Sequence, residues 1–217
     1  MRFETGIGPE IVTTSKVRIY PYFKPFFEIA LVLMAAPLVL PIVAVLAVLI
    51  MLDGGAPFYS QWRLGRGGRP FRMWKLRSMV SDAECALETH LQTYPEARRE
   101  WDRIQKLQDD PRVTPLGRFL RKTSLDELPQ LLNVLLGEMA LVGPRPILPE
   151  QADRYPERTY YRMRPGLTGL WQISGRGQSL FGARGTFDTI YESAMSFTVD
   201  IQILFRTLVV VWRGTGV

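Results

Sequence analysis

The chain has 217 residues, enough for one domain with a real core plus an appendage. Its 27 Lys and Arg against 21 Asp and Glu give a net charge of +6, which points to anionic partners: nucleic acid, acidic lipid or phosphorylated substrates. The single Cys85 excludes an internal disulfide and a cysteine-cluster zinc site, and the single His90 excludes a multi-histidine metal centre, so any metal must be bound by oxygen, as magnesium or manganese is.

Residues 1–25 read as a short arm, with Gly6, Gly8 and Pro9 breaking any early helix. From Ile29 to Leu52 there is no charged residue, and about 20 apolar residues suffice to cross a bilayer as a helix. The run is too long and starts too late for a signal peptide, and it is excessive for a buried helix in a domain this small. Pro37 and Pro41 lie near its middle. They fit either a kinked spanning helix or a helix–break–helix that dips into the membrane and returns on one face. Lys16, Arg18 and Lys24 precede the run, and Arg63, Arg66, Arg69, Arg72, Lys75 and Arg77 follow it. Basic residues prefer the cytoplasmic side, so two basic flanks favour the re-entrant form.

The segment "FYSQWRLGRGGRPFRMWKLRSM" (58–79) predicts two short strands around a glycine-rich turn. Its alternating aromatics and arginines also suit RNA, although no RNA-binding or zinc-finger pattern accompanies them. Residues 81–109 are polar and helix-prone. Leu125, Leu128, Leu131, Leu132, Leu135, Leu136 and Met139 recur at helical spacing, as a core-facing or lipid-facing helix would place them. Ile201, Leu204, Phe205, Leu208, Val209 and Trp212 predict an amphipathic C-terminal helix that could lie on a membrane surface.

Two acids, Asp126 and Glu127, open the leucine-rich segment in "SLDELPQ". Capping explains them well: Ser124 and Glu127 have capping-box spacing, and a helix starting at Asp126 would put Pro129 among positions with no N–H bond to lose. The surroundings suggest chemistry instead. Arg118, Arg121 and Lys122 lie just upstream, Arg145 downstream, and a second block holds Arg162, Arg164 and Arg176 among glycines. Arginine binds phosphate bidentately, and glycine lets backbone N–H groups approach an anion. Two carboxylates among such blocks suit phosphoryl transfer, one acid attacking and the other holding a divalent cation.

The blocks "FEIALVLMAAPLVLPI", "WKLRSM", "LGRFLRKTSLDELPQLLNVLLGEMALVGPRP", "RPGLTGLWQISGR" and "DTIYESAMSFTVDIQILFRT" resemble, in order, those of the bacterial sugar transferases, the monotopic phosphoglycosyl transferases. The likeness runs from about Phe23 to the C-terminus. It implies transfer of a sugar 1-phosphate from a UDP-sugar to polyprenyl phosphate with release of UMP, initiating exopolysaccharide or other glycoconjugate synthesis. It places the nucleophile at Asp126, which would form a phosphosugar–aspartyl intermediate, and the magnesium-associated acid at Glu127. Lys75, Arg121, Arg145, Arg164 and Arg176 match basic, phosphate-binding positions. Asp188 and Asp200 also match, as supporting groups or structural salt-bridge partners. The membrane break would fall at Pro37, although Ala36 stands where the family often has serine.

The expected fold is therefore α+β and mainly helical. It comprises an arm (1–25), a re-entrant membrane hairpin (26–52) and a cytoplasmic catalytic domain (53–217) with a short β-hairpin and interfacial helices. The resemblance implies Mg2+, a UDP-sugar, polyprenyl phosphate and lipid of the cytoplasmic leaflet as partners. It also implies the bacterial inner membrane as the location, no nucleic acid, and a chain consisting of the catalytic unit alone. Oligomeric state stays open. Rival readings are a membrane-anchored RNA-binding module and a non-enzymatic membrane scaffold.

Overall fold

The computed structural model describes residues 19–104, 107, 109–155, 158–174 and 183–212. One long apolar helix is followed by a mainly helical domain with two small sheets. Helix α1 (Tyr20–Leu52) starts earlier than the boundary at residue 26 drawn from the sequence. It continues across Pro25, Pro37 and Pro41, so the expected pair of helices separated at Pro37 is replaced by one helix with prolines inside. Apolar neighbours offer the backbone no competing partner, and such helices tolerate an internal proline. By length and composition α1 is able to cross a membrane.

Both ends of α1 are seated on the same domain. Near its start, Lys24, Glu28 and Val32 are buried, and near its end Leu46, Ala47 and Ile50 are. From residue 33 to residue 45 none is buried, and Met34, Leu38 and Leu40 are largely exposed.

Strands β1 (Phe58–Leu64) and β2 (Pro70–Leu76) form the predicted antiparallel hairpin, in the register Tyr59↔Lys75, Gln61↔Met73 and Arg63↔Phe71. Opposed residues share a face. Phe71 and Met73 are buried in the main core, so Arg63 and Lys75 project from that inner face too. Leu76 packs against Ile50 and Leu46 of α1, and the Arg77 guanidinium donates to Ile50 O at 3.1 Å. That bond satisfies a carbonyl in the last turn of the apolar helix, where no intrahelical donor remains.

The polar stretch forms α2 (Ala83–Thr93) and α3 (Pro95–Ile104), followed by α4 (Pro115–Thr123). The leucine-rich segment does not make the single helix its spacing predicts. Leu125–Glu127 is a 3-10 turn, and α5 is only Gln130–Leu135. Gly137 then takes φ +75°, a conformation that ends helices and suits glycine. Met139 is fully buried in the core beyond that turn, whereas Leu132, Leu135 and Leu136 stay substantially exposed.

Strands β3 (Ala140–Val142) and β4 (Gly166–Thr168) pair in parallel, a contact with no clear signal in three-residue segments. Helices α6 (Leu170–Ser174), α7 (Ala183–Ala194) and α8 (Phe197–Trp212) complete the domain. On α8, Ile203 enters the core, while Ile201, Phe205, Leu208 and Val209 present an apolar outer face.

Candidate active site

The acids reach β2 through a sharp local reversal. Thr114 caps α4, its Oγ1 accepting from Gly117 N at 2.9 Å. The helix ends at Ser124, whose φ of 57° puts a non-glycine residue in the left-handed region, a conformation costing roughly 1–2 kcal/mol. The reversal packs Leu125 against Leu46, Ile50, Leu76 and Leu120. The next residue, Asp126, meets Lys75. One turn thus joins the apolar seat of α1 to the carboxylates, and the strain at Ser124 lies beside them, as strain at functional sites does.

Lys75 Nζ lies 2.8 Å from Glu127 Oε1 and 3.5 Å from Asp126 Oδ2. Asp126 is only 7% exposed. Burial raises its carboxyl above the usual carboxylate range, and the Glu127 charge adds to this, while Lys75 and Arg121 oppose it. Arg121 is oriented by its Nε bond to Ser78 Oγ, 2.9 Å long. Burial pulls that guanidinium down, and the charges of Asp126 and Asp110 hold it up. Against the capping explanation, neither Ser124 nor Pro129 makes a side-chain cap, and Asp126 lies inside the 3-10 turn.

Arg145 and Arg164, two further basic positions named from the sequence, have other neighbours. Arg145 sits in the loop after β3, close to Arg63 and Arg184. Burial and the Arg145 charge together push Arg63 down to about 10, and the same two causes lower Arg184. Arg63 is tied to that loop by a 3.4 Å bond to Pro146 O, and Arg184 stacks on Trp171 at 4.3 Å. Arg164 instead pairs with Glu28 at 3.0 Å. Arg176 lies outside the described residues. Asp188 accepts from Tyr155 OH. Asp200 accepts from Tyr191 at 2.6 Å and Tyr20 at 2.7 Å, and it pairs with Lys24.

Sequence reasoning counted Arg63 and Lys24 only as basic flanks of the apolar run, and it passed over Ser78, Arg184 and Glu28. Ser78, Arg63 and Arg184 carry no local signal, since serine and arginine are ordinary on a surface. Lys24 and Glu28 did carry one: an i,i+4 ion pair placed directly against an uncharged run, where charge is expensive unless buried with partners.

A buried carboxylate facing an ammonium can remain anionic while poorly solvated, the condition of an activated nucleophile. Such a pair, on a small α+β domain that carries a long apolar helix, defines a candidate group-transfer site. The chain matches the model of the family described as bacterial sugar transferase over residues 19–214, and it belongs to that family. It is 46% identical over 90% of its length to a UDP-galactose-lipid carrier transferase of Erwinia amylovora, covering 41% of that protein. It is 41% identical over 89% of its length to the exopolysaccharide production protein ExoY of Sinorhizobium fredii, covering 87% of it. It is 35% identical over 83% of its length to the UDP-glucose:undecaprenyl-phosphate glucose-1-phosphate transferase of Escherichia coli, covering 38% of it. The chain therefore spans about two fifths of several longer relatives and most of the rhizobial one.

Proposed function

We propose that the protein transfers a sugar 1-phosphate from a UDP-sugar to polyprenyl phosphate at the cytoplasmic face of the bacterial inner membrane, releasing UMP. The observation that carries this reading is the buried Asp126 carboxylate beside Glu127, with Lys75 bridging both. The printed names of the relatives supply the substrate classes.

In this mechanism a carboxylate oxygen of Asp126 attacks the phosphorus that bears the sugar. The bond from that phosphorus to the oxygen bridging the two phosphates breaks, and UMP leaves with the electron pair. The covalent phosphosugar–aspartyl species is then attacked at phosphorus by an oxygen of polyprenyl phosphate, which frees Asp126. Two steps let a soluble and a lipid substrate use one site in turn. Lys75, paired with both acids, and Arg121, whose charge acts on Asp126, would neutralise the phosphoryl oxygens as charge shifts towards the leaving group. As Lys75 turns to the incoming phosphate, its hold on Glu127 is released.

Magnesium suits the donor set. Among the described residues no group of three Asp, Glu, His or Cys side chains could form a closed metal cage. Mg2+ commonly takes one or two carboxylates and fills its shell with substrate phosphate and water. Glu127 would hold it, with Asp126 adjacent, and the ion would offset the negative charge of the diphosphate.

The re-entrant topology belongs to the same proposal. Lys24 and Glu28 at one end of α1 and Leu46 and Ile50 at the other rest on one domain, with an exposed apolar stretch between. A bend at the internal prolines would let that stretch enter the bilayer while both ends stay on the cytoplasmic side. The outer face of α8 would lie along the headgroups.

The test is UMP release from a panel of UDP-sugars by the full chain in nanodiscs with polyprenyl phosphate. We expect release that depends on the lipid phosphate for sustained turnover. No UMP from any UDP-sugar would reject the proposal.

A further inference from the structure

We infer that Glu28, on the membrane helix, is a positioning residue for the donor nucleotide: its carboxylate fixes the β3 strand, and hence the Arg145 loop, to α1. This rests on the transferase reading above and adds a part to it.

Glu28 is 1% exposed. Its Oε1 accepts from Leu141 N at 2.8 Å and Val142 N at 3.2 Å, and it pairs with Lys24 at 2.9 Å. Its Oε2 accepts from Arg164 at 3.0 Å. β3 pairs with β4 alone in a two-stranded sheet, so its other edge needs acceptors, and one side chain of α1 supplies them. Glu28 thereby grips both strands, β3 through its N–H groups and the approach to β4 through Arg164.

The loop that follows β3 is Gly143–Pro144–Arg145–Pro146. Its base is packed backbone to backbone: a Cβ on Gly143 would come within 2.4 Å of Arg164 O, and one on Gly166 within 2.1 Å of Gly143 N. Little slack therefore separates Glu28 from Arg145. Arg145 forms one cationic group with Arg63 and Arg184, and Arg63 stands on the same face of the hairpin as Lys75, so the group can take the phosphates of a donor held beside Asp126. The loop is held on three sides: Arg63 donates to Pro146 O at 3.4 Å, Gly166 N donates to Pro144 O at 2.8 Å, and Glu28 fixes the strand from which the loop leaves. Lys24 and Arg164 against Glu28 and Asp200 make the supporting network charge-balanced, as burial requires.

Removing Glu28 alone would strand buried cations, so the test uses balanced pairs in the full chain in nanodiscs. K24M/E28L removes one charge of each sign together with the acceptor, whereas K24M/E28Q keeps an acceptor for the two N–H groups. UMP affinity by calorimetry, the KM for UDP-sugar, and amide exchange over residues 139–147 are measured for each. We expect the leucine pair to weaken UMP and raise KM about tenfold, with kcat changed far less and exchange faster. The glutamine pair should restore KM to within about threefold of wild type.

A merely structural Glu28 would give the two pairs the same KM, and that result overturns the inference, as does faster exchange with unchanged UMP affinity. If the leucine pair fails to fold, Glu28→Asp serves, since it keeps the charge but withdraws the oxygens. An unchanged KM there also overturns the inference. Asp126→Asn, run in parallel, separates the two ideas: normal turnover by that variant sinks the transferase chemistry, whereas an inactive Asp126→Asn beside Glu28 variants of unchanged KM sinks only the positioning role. A wild-type chain that does not bind UMP refutes both.

Discussion

The ammonium of Lys75 lies 2.8 Å from Glu127 and 3.5 Å from Asp126, so one cation from β2 holds two adjacent acids together at the end of α4. Burial raises the Asp126 carboxyl and Lys75 pulls it back down. Only the ionised form can attack, so activity should fall on the acid side with a midpoint above that of an ordinary aspartate. Lys75→Met should lower kcat/KM by about 10²-fold or more and move that acid limb to higher pH, because the opposing charge is gone. A pH profile of UMP release checks both. An acid limb unmoved by the substitution would mean that Lys75 does not govern Asp126.

Asp126→Asn separates chemistry from architecture. Asp126 makes no helix cap, so asparagine should leave the fold and thermal midpoint close to wild type. Turnover should drop by about 10⁴-fold or more, as for loss of a nucleophile. Trapping with radiolabelled UDP-sugar should give a labelled protein in the wild type and none in the variant. A folded variant with near-normal release ends the nucleophile assignment.

Glu127 is assigned the divalent ion, held jointly with substrate oxygens. EDTA should stop UMP release and added Mg2+ restore it, and Glu127→Gln should cost about 10²-fold in kcat. Full activity in excess chelator rules out the metal.

Asp188 gives a stability prediction independent of the transferase chemistry. It is buried beside Tyr155, and burial pushes its carboxyl up to about 7, against the Tyr155 bond and the Arg184 charge that pull it down. The folded state then holds this proton more tightly than the unfolded chain, whose carboxyl titrates near 3.8. The stabilising contribution is complete at and below that lower value and is lost as pH rises through about 7. Melting between pH 5 and pH 8 should show Tm falling by a few degrees, at about 2–4 °C for each kcal/mol lost in a chain of this size. Asp188→Asn should flatten the dependence, and an identical slope in the two proteins would contradict the proton assignment.

Topology is tested by single cysteines at position 5 and at Ser60 in a Cys85→Ser background; Cys85 is exposed and must be removed first. Both should react with membrane-impermeant maleimide only when the cytoplasmic face is accessible. Labelling of position 5 from the periplasm would establish a spanning α1 and leave the proposed chemistry standing.

The long apolar helix, the hairpin and the adjacency of Asp126 and Glu127 were legible in the chain because each is a local property. An uncharged run, a glycine-rich turn between alternating residues, and an unusual pair of acids all announce themselves within a few positions. The leucine-rich helix was misjudged because periodicity records which residues are apolar, whereas Pro129 and the positive φ of Gly137 decide how much of that stretch stays helical. Which arginine serves which acid was beyond local reading. Lys75 and Asp126 are brought together by β2 packing on the turn after α4, and Arg164 is drawn to Glu28 across the chain. Charge interactions depend on distance and burial, both set by tertiary packing, so equally basic residues in the sequence acquire different partners only when the chain folds.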